Sequence, residues 1–100
     1  MAVVLVARFT GDVTELVQAY DRAHALVMSR GGAVSVGELR HHCATSEDAL
    51  YLIGVWESEE QLRARWTDPA FEELLVSTGF PAPSTAEIDV LDLHAVEPPL

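Results

Sequence analysis

The stretch Tyr51-Leu-Ile-Gly-Val-Trp-Glu-Ser-Glu-Glu-Gln-Leu62 decides how this chain is read, because it joins an apolar run to a helix start. Residues 49–56 are apolar at both parities, the pattern of a strand with both faces covered. Ser58-Glu59-Glu60-Gln61 then has the form of a capping box, with two acids set against the positive end of the helix dipole. Trp56 shares its strand parity with Leu50, Leu52 and Gly54, and a glycine beside a tryptophan on one face leaves room above the sheet.

Working outward from that junction, Ser46-Glu47-Asp48 is a polar turn of hairpin length. Before it, residues 34–45 read as a half-exposed strand, with Leu39, His41 and Cys43 at one parity and Glu38, Arg40 and His42 at the other. Residues 2–9 form a second run that is apolar at both parities until Arg8. Between these strands, Asp12-Val-Thr-Glu15 resembles a capping box, and Val13, Leu16, Val17, Tyr20, His24 and Val27 draw one apolar stripe on a helix that stops at Gly31-Gly32.

Downstream, Leu62 and Trp66 lie four apart on the inner face of the second helix, while Glu59 and Arg63 form an outward pair. Asp68-Pro69 restarts the helix, since proline fits the first turn after an Asp N-cap, and Phe71, Leu74 and Leu75 continue the inner face. Residues 77–85 are a Gly- and Pro-rich loop whose Phe80 is placed to fold over a cleft. Residues 86–96 predict the last strand, with a change of apolar parity near Leu91 that suggests a β-bulge, and residues 97–100 predict a loose tail.

The order β-α-β-β-α-β is that of an α+β, ferredoxin-like fold with a four-stranded antiparallel sheet, its two-sided strands 1 and 3 at the centre. Residues 1–100 are expected to form a single domain. Two helices cover one sheet face, which leaves the other parity of the central strands without a cover. A second copy packing sheet against sheet supplies it, so the expectation is a homodimer closed into a dimeric α/β barrel.

Composition narrows the partners. Six Arg, no Lys and 16 acidic residues leave a formal charge of −10, which disfavours nucleic acid and anionic membranes. No apolar run reaches membrane-spanning length and the N-terminus lacks a basic leader, so a cytoplasmic protein is expected. Cys43 is the sole cysteine, which leaves no intrachain disulfide and no cysteine-based zinc site.

Val55-Trp-Glu-Ser-Glu-Glu-Gln-Leu62, followed by Thr67-Asp-Pro-Ala-Phe71, together with the element order, resembles the dimeric α/β-barrel superfamily and within it the antibiotic-biosynthesis-monooxygenase-like proteins. That resemblance implies a fold shared by cofactor-independent oxygenases of polyphenolic substrates, haem-degrading enzymes and members without known activity. The chain departs from the family pattern at several points. Arg65 stands where a helical histidine is common, Ala70 replaces the histidine often found before the Phe, Leu74, Leu75 and Val76 fill the region of the haem-binding histidine, and the sequence contains no Asn.

Trp56, Trp66, Phe71 and Phe80 are each most simply core residues, yet together they are suited to wall a gap for a planar hydrophobic ligand. His24 sits in the apolar stripe as either a satisfied rim histidine or a base for a phenolic proton. Arg8 interrupts an apolar strand end, where it meets an acid such as Asp92 or an anionic ligand. His41 and His42 point to opposite faces and cannot share a metal, and Asp92 with His94 reads as a surface pair, so no metal is expected. The leading expectation is a monooxygenase-like protein that binds an aromatic or polycyclic molecule between sheet and helices and oxidises it without a cofactor. The alternatives are a non-catalytic dimeric ligand-binding or stress-response module of the same fold, and haem binding through a histidine.

Overall fold

The two apolar runs pair with one another. In the computed structural model, which describes residues 1–100, β1 (Val3–Thr10) and β3 (Ala49–Trp56) are antiparallel neighbours in unbroken register from Val3 opposite Trp56 to Thr10 opposite Ala49. β2 (Glu38–Thr45) lies outside β3 and β4 (Glu87–Asp92) outside β1, so the order is β2-β3-β1-β4 with strands 1 and 3 central. This is the α+β, ferredoxin-like arrangement expected from the chain, with three helices: α1 (Val13–Ser29), α2 (Glu59–Trp66) and α3 (Pro69–Ser77).

Caps set the helix starts as the local residues dictate. The Asp12 carboxylate accepts from the Glu15 N–H at 3.0 Å, the Ser58 hydroxyl from the Gln61 N–H at 3.2 Å, and the Asp68 carboxylate from the Ala70 N–H at 3.0 Å. The Ser58 hydroxyl also donates to the Gln61 side-chain oxygen at 2.9 Å, so the box closes through side chains.

Val3, Leu5, Ala7 and Phe9 of β1 and Leu50, Leu52 and Trp56 of β3 face the helices and form one core with Leu16, Ala19, Ala23, Leu62, Leu75 and Phe80. Fully burying a side chain of the Leu or Phe class stabilises by roughly 1.5–3 kcal/mol, so this cluster is the main driving force for folding. On α1 the residues pressed against the sheet are Leu16, Ala19 and Ala23. The buried stripe is therefore rotated from the expected one: alanines allow close approach, Tyr20 and Val27 flank them half-buried, and His24 is exposed at the rim.

Three sequence expectations need correction. Residues 34–36 form a 3₁₀ turn instead of strand, and Gly37 at φ 105° occupies left-handed backbone that delays β2 to Glu38. The expected bulge near Leu91 is absent, because β4 pairs regularly with β1 from Glu87 to Asp92 and then ends; the parity change marks the strand's exit, after one last bond from the Leu93 N–H to the Ala2 carbonyl. The tail is held, since the Arg40 guanidinium donates to the carbonyls of Pro98 and Pro99 at 3.4 and 3.1 Å.

A bulge does occur, but in β2. The register shifts between Glu38 and Arg40, so Leu39 is the extra residue, and Glu38, which lies opposite Trp56, shares the helix-facing side with His41 and Cys43. Val4, Val6, Arg8, Tyr51, Ile53 and Leu91 lie on the other face, which no helix covers. No helix is long and apolar enough to cross a membrane.

Candidate functional site

The layer between sheet and helices is filled at one end and hollow at the other. At the filled end Phe80 packs edge-on against Phe9 with ring centroids 4.8 Å apart, and both are at most 2% exposed. At the hollow end lies a cavity of about 280 Å³. Leu5, Leu52 and Gly54 line it from the sheet, while Trp56, Trp66 and Phe71 are its aromatic walls. Exposed Met28 and Val34 stand at its mouth.

Gly54 has no side chain, and two neighbours from the cavity wall take the room this leaves. A Cβ there would stand 2.6 Å from Glu38 Oε2 and 3.0 Å from Trp56 Nε1, so the carboxylate and the indole nitrogen occupy the volume above the strand. The buried indole N–H groups of Trp56 and Trp66 have no hydrogen-bond partner in the protein. Buried donors left unpaired cost roughly 1–3 kcal/mol each, a sign that something else accepts from them.

One wall carries a polar chain of four side chains. Glu38 Oε2 lies 3.1 Å from His41 Nδ1, His41 Nε2 lies 2.7 Å from the Tyr20 hydroxyl, and that hydroxyl lies 3.3 Å from His24 Nδ1. The Tyr20, His24 and His41 rings are nearly parallel, with interplanar angles of 5–13°. With both imidazoles neutral, the partners assign the protons. His41 Nδ1–H donates to the carboxylate, His41 Nε2 accepts from the tyrosine, and His24 Nδ1–H donates to the tyrosine oxygen. His24 Nε2 then carries the free lone pair.

The electrostatics keep the Tyr20 hydroxyl neutral. Burial, reinforced by Cys43, Glu38 and Asp21, raises the Tyr20 hydroxyl above the usual phenol range. Burial and then Asp21 push the neighbouring Cys43 thiol up to about 11, so it is no thiolate nucleophile at neutral pH. Also in the lining, the Arg65 guanidinium lies 4.0 Å from the Phe71 ring centroid, and burial, partly offset by Asp68 and Glu38, holds it below the usual arginine range.

His24, Trp56, Trp66, Phe71 and Phe80 all line this one cavity. Arg8 does not. It lies on the uncovered sheet face, bonds to the Tyr51 hydroxyl at 3.1 Å and pairs with Asp48 and Glu87, with Asp92 on the other side of the sheet. Tyr20, Glu38, His41 and Arg65 were not singled out as site residues by sequence reasoning. Tyr20 had a signal, four residues before His24 on the same stripe, whereas Glu38 had none because the bulge reverses its parity. His42 points away and its Nδ1 lies 3.2 Å from the Ile53 carbonyl oxygen. No cluster of three His, Cys, Asp or Glu side chains has the arrangement of a metal site.

No protein-family model and no curated protein matches the chain. Solved structures do. SnoaB, a cofactor-independent oxygenase from Streptomyces nogalater, is 21% identical over 98% of both chains with a TM-score of 0.64. Rv0793 from Mycobacterium tuberculosis is 15% identical over 97% of this chain and 99% of its own, with a TM-score of 0.66. A protein of Chloroflexus aurantiacus provisionally described as an antibiotic biosynthesis monooxygenase is 15% identical over 96% and 97%, with a TM-score of 0.56. At these identities the likeness is one of fold, and the fold is that of the antibiotic-biosynthesis-monooxygenase-like proteins that the Trp56 to Phe71 segment resembles.

Proposed function

We propose that the cavity binds a planar, polycyclic phenol and that the protein oxidises it with molecular oxygen, without a cofactor. The observation that carries this reading is the junction of an aromatic-walled cavity with a hydrogen-bonded chain that leaves His24 Nε2 as a free base. Trp56, Trp66, Phe71 and Phe80 hold the rings, and His24 takes the phenolic proton. The substrate anion transfers one electron to oxygen. The resulting radical and superoxide join in a C–O bond at the para carbon, and the protonated histidine returns its proton to the peroxide. Loss of water, with the hydrogen of that carbon, leaves a carbonyl. One oxygen atom enters the product and the other leaves as water, so no external reductant is needed.

Tyr20, His41 and Glu38 position His24 in this scheme. The Glu38 side chain fixes the His41 tautomer, His41 orients the Tyr20 hydroxyl, and Tyr20 holds His24 Nδ1 as the protonated nitrogen. General base catalysis of this kind contributes about 10²–10⁴-fold. With 1-naphthol as probe, wild-type protein is expected to consume one oxygen per 1,4-naphthoquinone formed, and His24→Ala to fall by about that factor. Equal turnover in both removes His24 from the role. Oxygen uptake no faster than buffer, across a panel of such phenols, leaves the non-catalytic binding module, which the absence of Asn and the presence of Arg65 in place of a helical histidine favour.

The same reading takes the protein as a homodimer. Val4, Val6, Ile53 and Leu91 form an apolar strip on the uncovered sheet face, with Leu91 52% exposed, and a second sheet laid on it removes that strip from water. Light scattering at micromolar concentration is expected to give twice the 10.9 kDa chain mass. A monodisperse species at the chain mass would end the dimer proposal.

A further inference from the structure

The six arginines fall into two groups. Arg8, Arg22, Arg40 and Arg63 each donate to a protein acceptor, and Arg30 is exposed to water at the end of α1. Arg65 alone is half-buried without a hydrogen bond or ion pair, in a chain that carries 16 acids and a net charge of −10. A guanidinium presents five donors in a planar fork, so leaving it unpaired at a partly desolvated wall is costly. Carboxylates were abundant enough to satisfy it, yet Glu38 is bonded to His41, and Asp68 and Glu38 act on Arg65 only through space, so its one close contact is the Phe71 ring.

A second observation points the same way. The indole N–H groups of Trp56 and Trp66 are also buried without acceptors, and both tryptophans line the same cavity as Arg65. The cavity therefore holds a surplus of donors over acceptors, which an acceptor-rich ligand would balance.

From this we infer that the ligand is a polycyclic aromatic acid whose carboxylate sits in the Arg65 fork. This rests on the aromatic-site reading above and narrows its substrate class. The rings lie against Trp56, Trp66 and Phe71, the anion is bound in a bidentate fork, and the edge away from Arg65 is left for His24. Specificity follows from the unpaired cation: a neutral amide of the same shape offers one acceptor oxygen, sets an NH₂ group against the second arm of the fork and brings no charge, so it binds more weakly than the acid.

Both tryptophans of the protein are in the cavity wall, so their emission reads binding directly. Titration of the full chain with 2-naphthoate and with its neutral isostere 2-naphthamide is expected to show the carboxylate binding at least about tenfold more tightly. The preference should vanish in Arg65→Gln, shrink in Arg65→Lys, which keeps the charge but loses the fork, and persist in Arg63→Gln, two residues away and paired with Glu59. Equal affinity for acid and amide in the wild type, or a preference untouched by Arg65→Gln, overturns the inference while leaving the aromatic site standing. If neither naphthalene binds, the aromatic-site reading falls and the inference with it. The wild-type ratio of acid to amide needs no variant, so it decides even if Arg65→Gln is poorly folded.

Discussion

Two ends of one layer behave differently although the same strands floor both. Around Phe9 and Leu50 the layer is closed, and Phe80, packed edge-on against Phe9, marks the boundary where the cavity begins. Two residue pairs further along the same strand face, Gly54 opposite Leu5 replaces a leucine, and the layer opens into a cavity lined by Trp56, Trp66 and Phe71. The alternation Leu50-Leu52-Gly54-Trp56 thus carries the change from core to site on one strand. In so small a core, omitting one side chain at Gly54 lets the Glu38 carboxylate and the Trp56 indole lie close over the strand as part of the cavity wall, where a leucine would displace them.

The filled end is where substitution should cost most. Phe9→Ala removes a ring that is 1% exposed and strands its edge-to-face partner Phe80, so stability should drop by about 3–5 kcal/mol in denaturant unfolding. A loss below about 1 kcal/mol would mean that this end is loosely packed and the comparison fails.

Extending the leucine pattern tests the hollow end. In Gly54→Leu the new side chain must displace the Glu38 carboxylate and crowd the Trp56 indole, at a cost of about 1–3 kcal/mol, smaller than at Phe9. The larger effect should be on the site: tryptophan-detected binding of 2-naphthoate is expected to disappear while the protein stays folded by circular dichroism. Unchanged binding would show that the space above Gly54 is not where the rings sit.

Much of this architecture was legible in the chain. Two runs apolar at both parities identified β1 and β3 as central strands, because only a strand covered on both faces tolerates that pattern in water. Asp12, Ser58 and Asp68 cap as their spacing predicts, since capping depends on groups within three residues. The aromatic wall was also legible, from Gly54 beside Trp56 and from the helical spacing of Trp66 and Phe71. Arg8 was misplaced for a simple reason: one strand parity says which residues share a face, but not which face the helices will cover.

The sequence by itself determined the main elements, their order and the aromatic residues now found around the cavity, because periodicity and capping are local physics. Only the tertiary structure decided the polar chain. Strict alternation from Glu38 to His41 sets them on opposite faces, and one extra residue at Leu39 brings them to the same side, 3.1 Å apart. That bulge is a property of how β2 pairs with β3, and Tyr20 reaches His41 from a helix 21 residues away in sequence. A single backbone irregularity between strands, set by non-local pairing, converts a surface acid and three separate rings into one hydrogen-bonded wall.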